Sequence, residues 1–278
     1  MTTERACRFG RAQHLIGIIG LPPAPAEEGR VGIVVLNAGM VHRVGPFRLH
    51  VELTRRLNAC GYPSLRFDLS SIGDSGASNE PRSHEEQVRS DVADAINLLR
   101  QHAGCTRVIL LGLCSGAQNA HVAACTESRV AGAIFLDGYA FRTFGFRIRH
   151  YLPRLLNAAR WRRFLDRRMS PPEDDDSNIR FGVHYPPLSQ VRRELAGMLE
   201  RGLKLYFIYS GGISGHYNHP RQFRECYGRL AAHPGASTRL LKQADHTYVL
   251  ETDRQLLFDT IETWLAGNFP TPARSSPP

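Results

Sequence analysis

Lysine is almost missing from this chain. Of 278 residues only Lys204 and Lys242 are lysines, and arginine carries nearly all the positive charge behind a formal net charge of +9. A bias toward arginine this strong follows the base composition of the coding DNA, so the charge is not taken as a nucleic-acid signal and no nucleic-acid partner is expected. Long apolar runs are absent too: none approaches the roughly 20 residues that span a bilayer, and no membrane association is expected. Met1 to Gly10 contains no apolar core of the kind a secretory signal needs. The six cysteines, Cys7, Cys60, Cys105, Cys114, Cys125 and Cys226, include no CxxC pair and no metal-ligand spacing. Free thiols in a reducing compartment are the simplest reading, and a cytoplasmic location follows as the expectation. Neither a metal nor a cofactor is called for, and the oligomeric state is left open.

What is present alternates between two textures. Short, apolar, β-branched runs at Leu15–Leu21, Val31–Leu36, Ser64–Phe67, Val108–Leu111, Val130–Leu136, Leu205–Tyr209 and Thr238–Leu241 read as strands, several of them buried on both faces. Between them lie helical stretches: Pro46 to Cys60, closed by Gly61; Ser83 to His102, opened by a Ser83/Glu86 capping box; Leu188 to Arg201; and Phe258 to Leu265. This order predicts an α/β fold, a mostly parallel sheet flanked by helices. The rhythm breaks at 138–202, where no strand stands out; that span is expected to be a helical cap inserted into a core made of 1–137 and 203–268. Residues 269–278, rich in proline and serine, read as a disordered tail.

The sharpest signal is Gly112-Leu113-Cys114-Ser115-Gly116, which follows an apolar strand and precedes a small-residue helix, Ala117 to Cys125. Strand, tight turn and helix with glycines on both sides is the setting of a nucleophile elbow, usually G-x-S-x-G. The glycines flank position 114. Centring the motif on Ser115 would put Leu113 and Ala117 where glycines belong, so Cys114 is the candidate nucleophile.

With the elbow go Asn37-Ala38-Gly39, His42-Arg43-Val44-Gly45, Leu65-Arg66-Phe67-Asp68, Gly73-Asp74-Ser75 and Asp245-His246. Together these resemble the α/β-hydrolase superfamily, and within it the bacterial hydrolases associated with exosortase systems and the serine aminopeptidase-like group. The resemblance implies an α/β-hydrolase fold. It also implies a catalytic histidine in the loop after the last strand, where His246 stands, and an oxyanion hole built from the backbone N–H of Ser115 and one from Gly39 or Met40. The triad acid commonly sits in the loop after Leu205–Tyr209, but Ser210 to Asn218 contains no carboxylate. A second place known for the fold is the end of the preceding core strand, where Asp137 stands. Asp137 is therefore the expected acid, with an acid-free dyad as the alternative. Asp68 and Asp74 read as structural.

A cysteine here implies a thioester acyl-enzyme, which keeps more transfer potential than a serine ester. Cleavage of a thioester or ester is the leading expectation, acyl transfer or cyclisation onto an amine or hydroxyl the close alternative, and a degenerate hydrolase-fold binding protein the third. Nine arginines fall between Arg142 and Arg168, with Asp166 the sole acid among them. Arg160, Arg163 and Arg167 are candidates for docking an anionic acyl donor, coenzyme A or an acyl carrier protein, against the plainer reading of a solvated helix face.

Overall fold

The computed structural model describes residues 3–23, 29–155 and 185–271. Eight strands form one sheet: β1 (Thr3–Phe9), β2 (Leu15–Leu21), β3 (Val31–Leu36), β4 (Ser64–Phe67), β5 (Arg107–Leu113), β6 (Val130–Leu136), β7 (Lys204–Ser210) and β8 (Ala236–Leu241). Their spatial order is β1-β2-β4-β3-β5-β6-β7-β8. β1 and β2 pair antiparallel, as do β2 and β4, while every neighbouring pair from β4 through β8 is parallel. The fold is that of the α/β hydrolases.

Two apolar layers hold the sheet. Along β3, Ile33 and Val35 face one layer and Val34 and Leu36 the other, the two-residue period of a strand. The first layer packs on α1 (Leu49–Ala59) and α7 (Glu251–Asn268) through Leu53, Leu57, Leu257 and Ile261. The second packs on α2 (His84–Ala103), α3 (Ser115–Thr126) and α5 (Leu188–Glu200) through Val92, Ala120 and Leu195. Covered on both sides, β6 is buried at all seven positions. No helix among the described residues is long and apolar enough to cross a membrane.

Several boundaries differ from the sequence reading. The helix expected from Pro46 begins as a 3-10 turn, Pro46–Arg48, and only straightens at Leu49, because Phe47 and Arg48 take positive φ of 47° and 64°. In α2 the capping box is complete: Ser83 N–H donates to Glu86 Oε2 at 2.9 Å, and Glu86 N–H donates to Ser83 Oγ at 3.4 Å. Within the expected cap, α4 (Phe144–Leu155) leaves the sheet. Val191, Leu195, Met198 and Leu199 of α5 are buried in the main core cluster. Arg160, Arg163 and Arg167 lie outside the described residues. At the other end Phe269, assigned to the tail, is buried, and its carbonyl accepts from Tyr62 Oη at 2.9 Å.

Because β3 to β8 run parallel, their carboxyl ends share one edge of the sheet. The strand order reverses beside β3, where the chain goes to β4 on one side and β5 on the other. In open α/β sheets that crevice is where ligands bind.

Candidate active site

Cys114 sits between the end of β5 and the start of α3 with φ 56° and ψ −118°, a conformation that a non-glycine residue holds only when its neighbours fix it. They do. Its N–H donates to Leu136 O at 2.8 Å, and its carbonyl accepts from Ala117 N at 3.0 Å. The flanking glycines have a direct steric cause. A Cβ on Gly112 would lie 2.1 Å from Gly116 O, and one on Gly116 would lie 2.7 Å from Asn37 O. Any side chain at either place would push α3 off β5 or off β3, so the turn is sharp only with glycine on both sides.

Asp137 follows β6, also with positive φ, 48°. Its carboxylate is fully buried and accepts three hydrogen bonds: from Ser210 N at 2.6 Å, from Ser210 Oγ at 2.6 Å, and from His246 Nδ1 at 2.7 Å. His246, in the loop after β8, also interacts electrostatically with the side chain of Cys114. The Asp137 hydrogen bond, and after it the Cys114 side chain, push the imidazole up to about 10, so the ring holds its proton at neutral pH. Asp137, His246 and Cys114 thus form one continuous relay across the ends of β5 and β6 and the loop after β8.

The loop after β7, which lacks a carboxylate, has another task. A Cβ on Gly211 would lie 2.0 Å from Lys242 O, and one on Gly212 would lie 2.2 Å from His246 N. Glycine at both positions lets this loop lie flush against the loop that carries His246. Ser210, just before it, supplies two of the three donors to Asp137. Asp245, next to the histidine, caps its own turn instead, accepting from Thr247 N at 2.7 Å and Val249 N at 2.9 Å.

The expected oxyanion donors are arranged less simply. Ser115 opens α3, so its N–H lies at a helix N-terminus. Gly39 has φ of 54°, and its N–H donates to Ser115 Oγ rather than standing open. Met40 is 74% exposed at the tip of the same loop. That loop is pinned from below: Arg43 bridges the buried Asp68 and the exposed Asp74, and Gly73 leaves room for the Asp68 carboxylate, since a Cβ there would lie 2.6 Å from its Cγ. Asp68 and Asp74 are structural, as their position in the sequence suggests. His216 and His219 make local contacts with Arg142 and with the Arg221 N–H.

A cavity of about 690 Å³ opens beside the elbow, with Gly39 and Ser115 at one end. Sequence reasoning missed what lines it. His121 of α3 is buried and its Nε2 lies 2.7 Å from Glu194 Oε2 of α5. No motif links residues 73 positions apart on two helices. His121, Cys125 and Glu194 offer three possible metal donors within 4.8 Å of one another, as do His42, Asp68 and Asp74, where Arg43 already occupies both carboxylates. Burial holds the Cys125 thiol up at about 12.

Comparison with known proteins fits this geometry. No curated protein matches the sequence. Among solved structures, an esterase of Pyrococcus furiosus superposes with a TM-score of 0.63 at 13% identity, covering 96% of this chain and 92% of its own. The alpha/beta hydrolase GrgF of a Penicillium species gives 0.60 at 15% identity over 98% and 100% of the two chains. A dienelactone hydrolase of Anabaena variabilis gives 0.58 at 13% identity over 96% and 99%. At such identities these likenesses speak for the fold. The sequence model of the alpha/beta hydrolase family matches residues 33–266, a span that contains Cys114, Asp137 and His246. The chain belongs to the alpha/beta hydrolase family.

Proposed function

We propose that the protein is an acyl hydrolase that cleaves esters or thioesters through a covalent intermediate on Cys114. The observation that carries this reading is the relay itself: a cysteine in the strained elbow, close enough to His246 to raise its pKa, and His246 Nδ1 2.7 Å from the buried Asp137 carboxylate. The esterase and dienelactone hydrolase among the structural neighbours act, by name, on ester bonds. Resemblance to exosortase-associated and serine aminopeptidase-like hydrolases rests on the sequence motifs and adds no substrate to the reading.

The steps follow from the geometry. Sγ of Cys114 adds to the acyl carbon, and the oxygen that gains charge turns toward the Ser115 N–H and the Gly39 loop. For Gly39 to donate, its N–H must leave the Ser115 hydroxyl. The bond to the alcohol or thiol then breaks, His246 gives that leaving group its proton, and a thioester on Cys114 remains. In the second half His246 takes a proton from water, the resulting hydroxide adds to the thioester carbon, and the acid departs as the proton returns to the Cys114–His246 pair. Asp137 holds the ring with Nδ1–H toward itself and Nε2 toward sulfur, and stabilises the imidazolium.

Because the intermediate is a thioester, an amine or alcohol can replace water, and acyl transfer is the second reading. Turnover of short-chain ester and thioester substrates, with and without an added acceptor, tests both. Loss of all turnover in Cys114→Ala is expected. Absence of turnover in the wild type, together with no labelling of Cys114 by a thiol-directed acyl probe, would leave a binding protein on a hydrolase fold.

A further inference from the structure

The cavity beside the elbow differs from a simple slot for an alkyl chain. Ile72, Val122, Tyr139 and Pro186 give it apolar walls, but polar side chains make up much of the rest. Several of its polar side chains are paired with one another. Arg89 Nη2 is 3.0 Å from Glu85 Oε2, and His121 Nε2 is 2.7 Å from Glu194 Oε2. Gln190 Nε2 donates to the other oxygen of Glu194 at 2.9 Å, and His84 Nε2 lies 3.0 Å from Asn119 Oδ1. The hydrogen-bonding capacity of these groups is not exhausted. A carboxylate has about four lone-pair sites, and Glu194 uses two. Arg89 Nε is buried with no protein partner.

A bare alkyl chain filling this space would strip water from those groups and give nothing back, at a cost of roughly 1–3 kcal/mol for each one left unsatisfied. A hydroxyl both donates and accepts, so it can answer a carboxylate, an amide and a guanidinium alike. The side of the elbow matters as well. Gly39 and Ser115, whose N–H groups would face the acyl oxygen, line this cavity, and neither His246 nor Cys114 does. A group seated in it is on the oxyanion side of the elbow, where the acyl half of the substrate would lie. At about 690 Å³ the space is large enough for a substituted acyl group, within the range of roughly 300–1,000 Å³ usual for small-molecule pockets.

We infer that the cavity between α2, α3 and α5 is an acyl-binding site for a hydroxyl-bearing acyl group, with Glu194, oriented by His121 and Gln190, as its principal acceptor. The inference rests on the acyl-hydrolase reading for its chemistry but not for its binding, and the test separates the two. Methyl gluconate and methyl hexanoate share a six-carbon acyl chain and differ in five hydroxyls. Wild-type turnover by pH-stat should favour gluconate in kcat/KM by at least about tenfold, roughly the discrimination one well-formed buried hydrogen bond supplies. Glu194→Gln keeps the volume and one acceptor oxygen but loses the charge, and should collapse that preference toward unity. Calorimetry on the Cys114→Ala protein repeats the comparison as binding alone. Preferential binding of methyl gluconate that disappears in Cys114→Ala/Glu194→Gln supports the site even if the wild type turns over neither ester, an outcome that would sink the hydrolase reading only. Equal binding of the two esters, preference for hexanoate, or a gluconate preference untouched by Glu194→Gln overturns the site.

Discussion

Replacing Asp137 with asparagine keeps the volume of a buried side chain and removes its charge. The wild-type carboxylate accepts from Ser210 N, Ser210 Oγ and His246 Nδ1 at 2.6, 2.6 and 2.7 Å. Asparagine has one acceptor oxygen. If that oxygen faces Ser210 N, the amide N–H₂ faces His246, which must then accept at Nδ1 and carry its proton on Nε2, toward the thiol. If it faces His246, the N–H₂ meets the Ser210 N–H donor to donor, a mismatch worth roughly 1–3 kcal/mol. Either way the negative charge that favours the imidazolium is gone, and the imidazole should titrate below the wild-type value of about 10. In a serine triad the same change costs about 10⁴-fold in kcat. A thiol needs less help from its base, so a loss of about 10²–10³-fold is expected, roughly 3–4 kcal/mol of barrier. Two assays check this: ester turnover, and NMR titration of the His246 ring. The sign carries over to stability. A pKa raised from 6.5 to about 10 in the folded state means the interaction stabilises fully below about pH 6.5 and fades as pH rises through about 10. The Tm gap between wild type and Asp137→Asn should narrow over that window. A variant that keeps turnover within about threefold while His246 still titrates near 10 would refute the reasoning.

Ser115→Ala should keep most of the turnover that Cys114→Ala abolishes, since Ser115 Oγ occupies the Gly39 N–H rather than His246; steady-state kinetics on the two variants would expose a reversed pattern. Gly212→Ala would place a methyl 2.2 Å from His246 N. A displacement of roughly 1 Å at His246 should lower kcat by about 100-fold, and full activity would show that the loop yields. Reversing Arg160, Arg163 and Arg167 to glutamate should raise KM for a coenzyme A thioester and steepen no salt response with methyl hexanoate. Equal effects on both substrates would leave those arginines as a solvated surface.

Much of the site could be read from the sequence because steric demands at an elbow are local. Gly112 and Gly116 frame position 114 for reasons that act within a few residues and one neighbouring strand. The central strands declared themselves through apolar runs buried on both faces. β1 did not: it lies at the sheet edge, mostly exposed, and Thr3–Phe9 carries no apolar period. The kinked start of α1 was hidden because Phe47 and Arg48 adopt positive φ without glycine. The acid-free loop after β7 looked like a loss, whereas Gly211 and Gly212 are what allow the His246 loop to close over Asp137. Least legible was the pairing of His121 with Glu194, which depends on how α5 lies on α3 and on nothing within either helix.

Whether Cys114 carries the acyl group is read by intact-mass spectrometry with peptide mapping after brief exposure to an activated acyl ester. One added acyl mass is expected, located on Cys114, absent from Cys114→Ala and long-lived in His246→Ala once formed. An adduct on Ser115, or none on the wild type while ester is being consumed, would contradict the Cys114 assignment.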